Sequence, residues 1–317
     1  MLLVELNIFL IILLKKFEVD NMKKQAILIM YHNDYYILEK LLQQIDNEKF
    51  DIFLHVDKKT KNFNFEYTKN LLKKSNIYFT KRINVKWSTF SQIKCELLLL
   101  KAATKNNYAY YHLISGNDLL IKSSDKVYEF FNKIKDYEFV AYQDFTKDVS
   151  DNTLDRIKYY HFFNSYRRHN GNYLKKILSK VYYRLLWVQK KIKVNRLRNN
   201  QMAIKKGANW FSITNGLAKY LLSKEKEIYR MYRYSNCADE IFLQTITYNS
   251  EFKNKIYHEY FDEHENIKRH IDWKRGEPYV FTINDYQELI NSSAFFARKF
   301  SSVKDREIID KIYKKTI

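Results

Sequence analysis

Residues 110–122 read YYHLISGNDLLIK, an aromatic and aliphatic run that stops at Ser115, Gly116, Asn117 and Asp118 before apolar residues resume. The run has the composition of a strand. A small-residue turn with a carboxylate at its tip is where α/β proteins bring ligand-handling groups to the carboxyl edge of a sheet. Four other short apolar runs share this form: AILIMY (26–31), DIFLHV (51–56), NIYF (76–79) and EFVAYQ (138–143). Amphipathic stretches separate them, which predicts an α/β fold with a mainly parallel sheet and helices on its faces. The clearest helix is 91–104, with Ile93, Leu97, Leu100 and Ala103 at helical spacing and Ser88 or Thr89 as its cap.

Of the 317 residues, 46% are hydrophobic and 17% aromatic, which excludes a disordered chain. Five Gly and one Pro leave little material for linkers, so residues 22–317 are expected to form one compact domain. The net charge of +20 favours a polyanionic neighbour: nucleic acid, an anionic membrane face or a phosphorylated substrate. Heavy use of Lys, Asn, Ile and Tyr accounts for part of this basicity as compositional drift. Cys95 and Cys237 make neither a disulfide framework nor a zinc pattern, and point to a reducing compartment. No glycine-rich phosphate loop occurs.

The N-terminal MLLVELNIFLIILLKK is apolar but interrupted by Glu5, and it is shorter than the ~20 residues that span a bilayer. It lacks the basic region and cleavage site of a signal peptide. Residues 1–21 therefore read either as a start assigned too far upstream or as a weak membrane-associating helix. Between Leu174 and Lys206 there are eleven Lys or Arg and no acidic residue. Leu174, Ile177, Val181, Leu185 and Val188 recur at helical spacing there, the pattern of a basic amphipathic helix. Such a helix is either a solvated basic face or a dock for anionic lipid or a lipid-linked phosphate acceptor.

Four clusters carry candidate chemistry. HVDKK (55–59) follows the second strand, where Asp57 fits a nucleotide contact and equally a surface salt bridge; His55 and Asp57 alone do not make a metal site. Trp87, before the helix at 91, is either a stacking platform or a core residue. The 110–122 stretch is the third. The fourth is GANWFSIT (207–214) with NCADEIFLQT (236–245), where Asp239 and Glu240 head a helix; there they serve its dipole or act as a general base. Near the C-terminus, Arg298 and Lys299 lie among Phe295, Phe296 and Phe300, anchored to present fixed positive charge or to form a buried ion pair.

In their order, HVDKK, VKWSTFS, YHLISGNDLLIK, NWFSIT, ADEIFLQT, RHIDW and FFARKF resemble the core-2/I-branching β-1,6-N-acetylglucosaminyltransferase family, which includes peptide xylosyltransferases, over residues 25 to 301. The resemblance implies a GT-A-type, Rossmann-like domain, a UDP-sugar donor, inversion at the anomeric carbon and no metal or other cofactor. Where most GT-A enzymes clamp a metal with Asp-x-Asp, this chain has Gly116 two positions before Asp118. Asp118 is then a sugar or backbone contact. By family position Glu240 is the catalytic base, and Lys299, with Arg275 or Lys274 or Arg298 as partner, offsets charge on the departing UDP. Asp57 and Trp87 lie near the uridine, and Ser115, Gly116, Asp118 and Trp210 near the donor sugar or acceptor. Leu120 replaces the family's proline in this motif, which bears on donor choice.

The expected function is thus an inverting, metal-independent transfer of a sugar, GlcNAc first, to a glycan acceptor of bacterial surface polysaccharide or lipooligosaccharide. The expected place is the cytoplasm, including its membrane face. A xylosyl donor in the same family is one alternative. A basic, Tyr-rich nucleic-acid binder is another, although no nucleic-acid module is present. A sugar-binding relative without turnover is the third, and retention of Glu240 and Lys299 weighs against it.

Overall fold

A computed structural model describes residues 23–317 apart from 145, 148, 167–172 and 259–262. The segment 1–21, and with it both readings of the N-terminus, lies outside the described residues. Among those described there are nine strands: β1 (Gln25–Tyr31), β2 (Phe50–Val56), β3 (Asn76–Phe79), β4 (Tyr110–Ser115), β5 (Leu119–Leu120), β6 (Phe139–Val140), β7 (Phe211–Thr214), β8 (Arg269–Ile271) and β9 (Phe296–Arg298). The main sheet runs β3-β2-β1-β4-β7-β6, and a small one runs β5-β9-β8. Strands β1 to β4 are mutually parallel.

Alternation along β1 shows why the runs are apolar throughout. Ala26 and Leu28 enter one core, while Ile27, Ile29 and Tyr31 enter the other. A sheet covered on both faces has no solvated side to make polar. One core is closed by the helices Ser91–Ala103, Asn215–Ser223 and Phe242–Tyr248. The opposite core is closed by Tyr35–Gln44, Ser124–Lys133 and Arg306–Thr316. The mainly parallel α/β architecture with helices on both faces is therefore present.

Three local readings change. The EFVAYQ run contributes only Phe139–Val140 to the sheet. At the helix beginning at 91 the cap position is Phe90, whose side chain makes no bond, while Thr89 Oγ1 accepts the Ser91 N–H at 3.3 Å and Ser88 has positive φ. The basic segment is helical only over Tyr173–Lys191. The small sheet was not anticipated, since strands of two or three residues carry no readable period.

One topological fact positions the site. Strand β7 runs antiparallel to β4, with Tyr110 opposite Thr214 and His112 opposite Ser212. The start of β7, preceded by Trp210, therefore lies at the carboxyl edge of β4, beside the ends of β1 and β2.

Candidate active site

The turn after β4 is a closed polar knot. Asp118 accepts the Ser115 N–H at 2.8 Å and the Ser115 hydroxyl at 2.6 Å. Arg298, at the end of β9, donates to the same Asp118 Oδ1 at 3.0 Å and to Ser115 Oγ at 2.7 Å. The Arg298 guanidinium lies 4.5 Å from the Trp210 ring. Asp118 is only 2% exposed, so its carboxylate has been spent on a turn and a guanidinium. Gly116 is required there because a Cβ would lie 2.5 Å from Tyr31 Cδ2. The expected backbone role of Asp118 and the ion-pair reading of Arg298 thus meet in one contact.

The ends of β1 and β2 form the adjoining wall. Asp57 is buried and accepts N–H groups of Lys59 at 2.8 Å and Val85 at 3.1 Å, with Lys59 Nζ 3.6 Å away. Its carboxylate holds the loop that leads to Trp87. His55 is buried and accepts the Ile83 N–H at 3.1 Å; burial lowers its pKa to about 4, so it is a neutral acceptor and not a charged group. Trp87 itself is half exposed, which favours a platform over a core residue. The Ser88 carbonyl next to it accepts the Cys237 N–H at 2.9 Å and the Asn164 amide at 2.9 Å, which ties the Trp87 loop to the segment carrying Glu240.

Lys299 is half-buried, and its ammonium has no hydrogen bond or ion pair among the described residues. Burial, then the neighbouring Arg298, holds its pKa below the ordinary lysine value, while Asp118 opposes the shift. It lines a cleft of about 440 Å³ with Asn33, Asp34, Asn117, Ser301 and Arg306. His32, at the end of β1, is lowered chiefly by burial and then by the charge of Lys299. A cation held in place without a counter-ion is arranged to receive an anion. Arg275 is arranged otherwise: its guanidinium is bonded to Asp272, to Asp285 at 2.6 Å and to Glu288 at 2.9 Å. These three carboxylates raise its pKa and leave no N–H fork for a phosphate. Lys274 is exposed, and its backbone N–H is bound by Asp272 at 2.8 Å. Arg275 also lies near Lys299, with one residue between them: its guanidinium is 4.3 Å from the ring of Tyr279, whose carbonyl accepts the Lys299 N–H at 3.3 Å, but its fork is engaged where that of Arg298 faces Asp118.

Glu240 closes the turn Ala238–Glu240, which precedes the helix Phe242–Tyr248. Neither acidic residue caps that helix through its side chain. Glu240 Oε2 lies 2.7 Å from Arg156 Nη1 and 3.7 Å from Lys206 Nζ, with the side chain 38% exposed. Its carbonyl accepts the Gly207 N–H at 2.9 Å, three residues before Trp210, which places the turn at the same sheet edge as Arg298. Asp239 points inward, accepting from Gln92 Nε2 at 2.7 Å; burial, then the Glu240 charge, pushes its pKa to about 7. Glu96, fully buried, is pushed well above the carboxylate range by burial and then by Asp239. Burial thus disfavours charge on Asp239 and Glu96, while Glu240 is the open member of this acidic group.

Arg156, Lys206, His32 and Arg306 escaped the sequence reading. Lys206 adjoins the GANWF run, the one local signal available. Arg156 lies in the helix Asp151–Lys158, 84 residues from its partner, and only the tertiary fold joins them.

The chain matches the model of the Core-2/I-Branching enzyme family over residues 26–290. None of the curated protein sequences matches it. Among solved structures it is similar to mouse xyloside xylosyltransferase 1 in its apo form, at 10% identity and a TM-score of 0.36, covering 86% of this chain and 96% of that one. The family match, spanning most of the chain and the ends of β1, β2 and β4, makes this protein a glycosyltransferase that belongs to the Core-2/I-branching enzyme family.

Proposed function

We propose that this glycosyltransferase moves a sugar, GlcNAc first, from a UDP-sugar to a hydroxyl of a bacterial surface glycan, with inversion and without a divalent metal. Glu240 takes the proton of the acceptor hydroxyl as that oxygen bonds to the anomeric carbon. The bond from that carbon to the UDP oxygen breaks on the opposite face. Lys299, with Arg298 behind it, offsets the charge that builds on the departing diphosphate. Asp57 and Trp87 flank the uridine, and Ser115, Asp118 and Trp210 shape the sugar subsite.

The observation that carries this reading is a division of labour at one sheet edge. An open carboxylate is held by Arg156, and an ammonium with no ion pair among the described residues lines a cleft beside Arg298, of which Glu240 is not a lining residue. Arg298 on Asp118 supports the metal-free route, since a guanidinium already neutralises that carboxylate.

The test is UDP release from a panel of UDP-sugars with glycan acceptors, with and without EDTA. Transfer is expected to persist in EDTA, and restoration by Mn²⁺ of a lost activity overturns the metal-free route. Glu240→Gln is expected to lower transfer by about 10² to 10⁴-fold with UDP binding kept. Thermal stabilisation by single-stranded DNA instead of UDP sinks the reading altogether.

A further inference from the structure

The helix Tyr173–Lys191 is mounted with its apolar side outward. Its inward face carries Ser179, Tyr182 and Gln189. Polar bonds fasten it: Tyr182 Oη lies 2.9 Å from His161 Nδ1, and Gln189 exchanges bonds of 2.8 and 2.9 Å with the Tyr160 backbone. Leu174, Ile177, Val181, Val188 and the following Ile192 are each at least 37% exposed. At about 100° per residue these five fall on one stripe along the helix, roughly 28 Å long. An amphipathic helix of a globular protein buries such a stripe.

Around the stripe the charge has one sign. Arg184, Lys191 and Lys180 border it on the side away from the protein body. Arg184 lies 4.5 Å and Lys191 5.7 Å from the ring of Trp187, which is half exposed. No acidic residue occurs between 174 and 206. No helix of the described residues is long and apolar enough to cross a membrane, so this one can only lie along a surface. A second copy would bring the same cations against these. A nucleic acid would satisfy the cations and leave the stripe in water. An anionic bilayer satisfies both.

We propose that Tyr173–Lys191 docks in the plane of an anionic phospholipid bilayer, with its aliphatic stripe among the acyl chains and its basic border on the headgroups. The surface adjoins the site: Lys190 pairs with Asp155 at 2.7 Å, and the next residue, Arg156, holds Glu240. On the proposed reading, docking holds the protein where a lipid-carried glycan presents its hydroxyl. Only this last statement rests on the proposed transfer.

The test is co-sedimentation of the full chain with vesicles of phosphatidylcholine alone or with about 30 mol% phosphatidylglycerol. Binding is expected to the anionic vesicles only, weakening as salt rises. The triple variant Ile177→Ser, Val181→Ser, Val188→Ser, and separately Lys180→Glu, Arg184→Glu, Lys191→Glu, are expected to lose about tenfold or more in vesicle affinity. Unchanged circular dichroism and melting temperature show that these exposed positions have not unfolded the chain. Several outcomes overturn the proposal: equal binding to neutral vesicles, or undiminished binding of the serine variant, which would place docking on residues 1–21. Vesicle binding gained only on deleting 1–21, a dimer dissolved by the serine variant, or binding to single-stranded DNA without vesicle binding would do the same. If UDP fails to stabilise the wild type while vesicle binding follows the pattern above, the transfer reading falls and the docking stands.

Discussion

Two carboxylates sit at the same edge of the main sheet, and both hold an arginine. Asp118 is 3% exposed in its side chain and closed in by Ser115 and Arg298. Glu240 is 38% exposed and keeps one face open beside Arg156 and Lys206. The first arrangement leaves the carboxylate closed to a ligand, and the second leaves it partly accessible. The same contrast separates the cations: Arg275 is enclosed by three carboxylates, while Lys299 faces a cleft with none on its ammonium. Accessibility together with unspent bonding capacity, more than residue type, sorts reactive groups from structural ones.

The largest effect expected from breaking this contrast, after Glu240→Gln, is at Lys299. Lys299→Ala should cut the turnover rate by about 10² to 10³-fold, as for a group that meets charge formed in the transition state. Steady-state kinetics with melting temperature unchanged is the check, and a loss confined to KM would reassign Lys299 to ground-state binding. Asp118→Asn should act on the opposite quantity. Removing one partner of a buried pair costs about 3 kcal/mol, read as a lower urea midpoint, whereas the open Glu240 should leave that midpoint in place.

The pH profile sharpens the comparison further. Because the Lys299 pKa is lowered, its ammonium loses its proton at a lower pH than an ordinary lysine, so activity should fall on the alkaline side before pH 10.5. Lys299→Arg should remove that limb; a limb unmoved by the substitution assigns it to another group. The smallest effect on turnover belongs to Arg275→Ala. Its partners Asp272 and Asp285 are 13% and 5% exposed in their side chains, so the change should lower stability by about 1–3 kcal/mol and leave turnover near wild type. A large rate loss there would restore Arg275 as the partner of Lys299.

Long elements were readable because hydrophobic burial imposes a period. The run at 76–79 coincides with β3, and the helix predicted at 91–104 ends one residue early. The candidate site was readable in part, through Glu240, Lys299, Trp87 and the 115–118 turn. Arg156 and Arg306 were not, because a single basic residue among 56 has no local mark until folding brings it to a partner or a cleft. The stripe was seen as a pattern over 174–188, but a pattern does not tell which way a helix faces.

The residues alone determined the doubly covered α/β sheet, the small-residue turn at its edge and the strong positive charge, since period, composition and formal charge are properties of the chain. Tertiary structure decided which groups are spent. It joined Arg298 to Asp118, surrounded Arg275, left Lys299 without a counter-ion among the described residues and turned an aliphatic stripe to solvent. Whether a charge is satisfied depends on distances between residues far apart in sequence, and only the folded arrangement sets those distances.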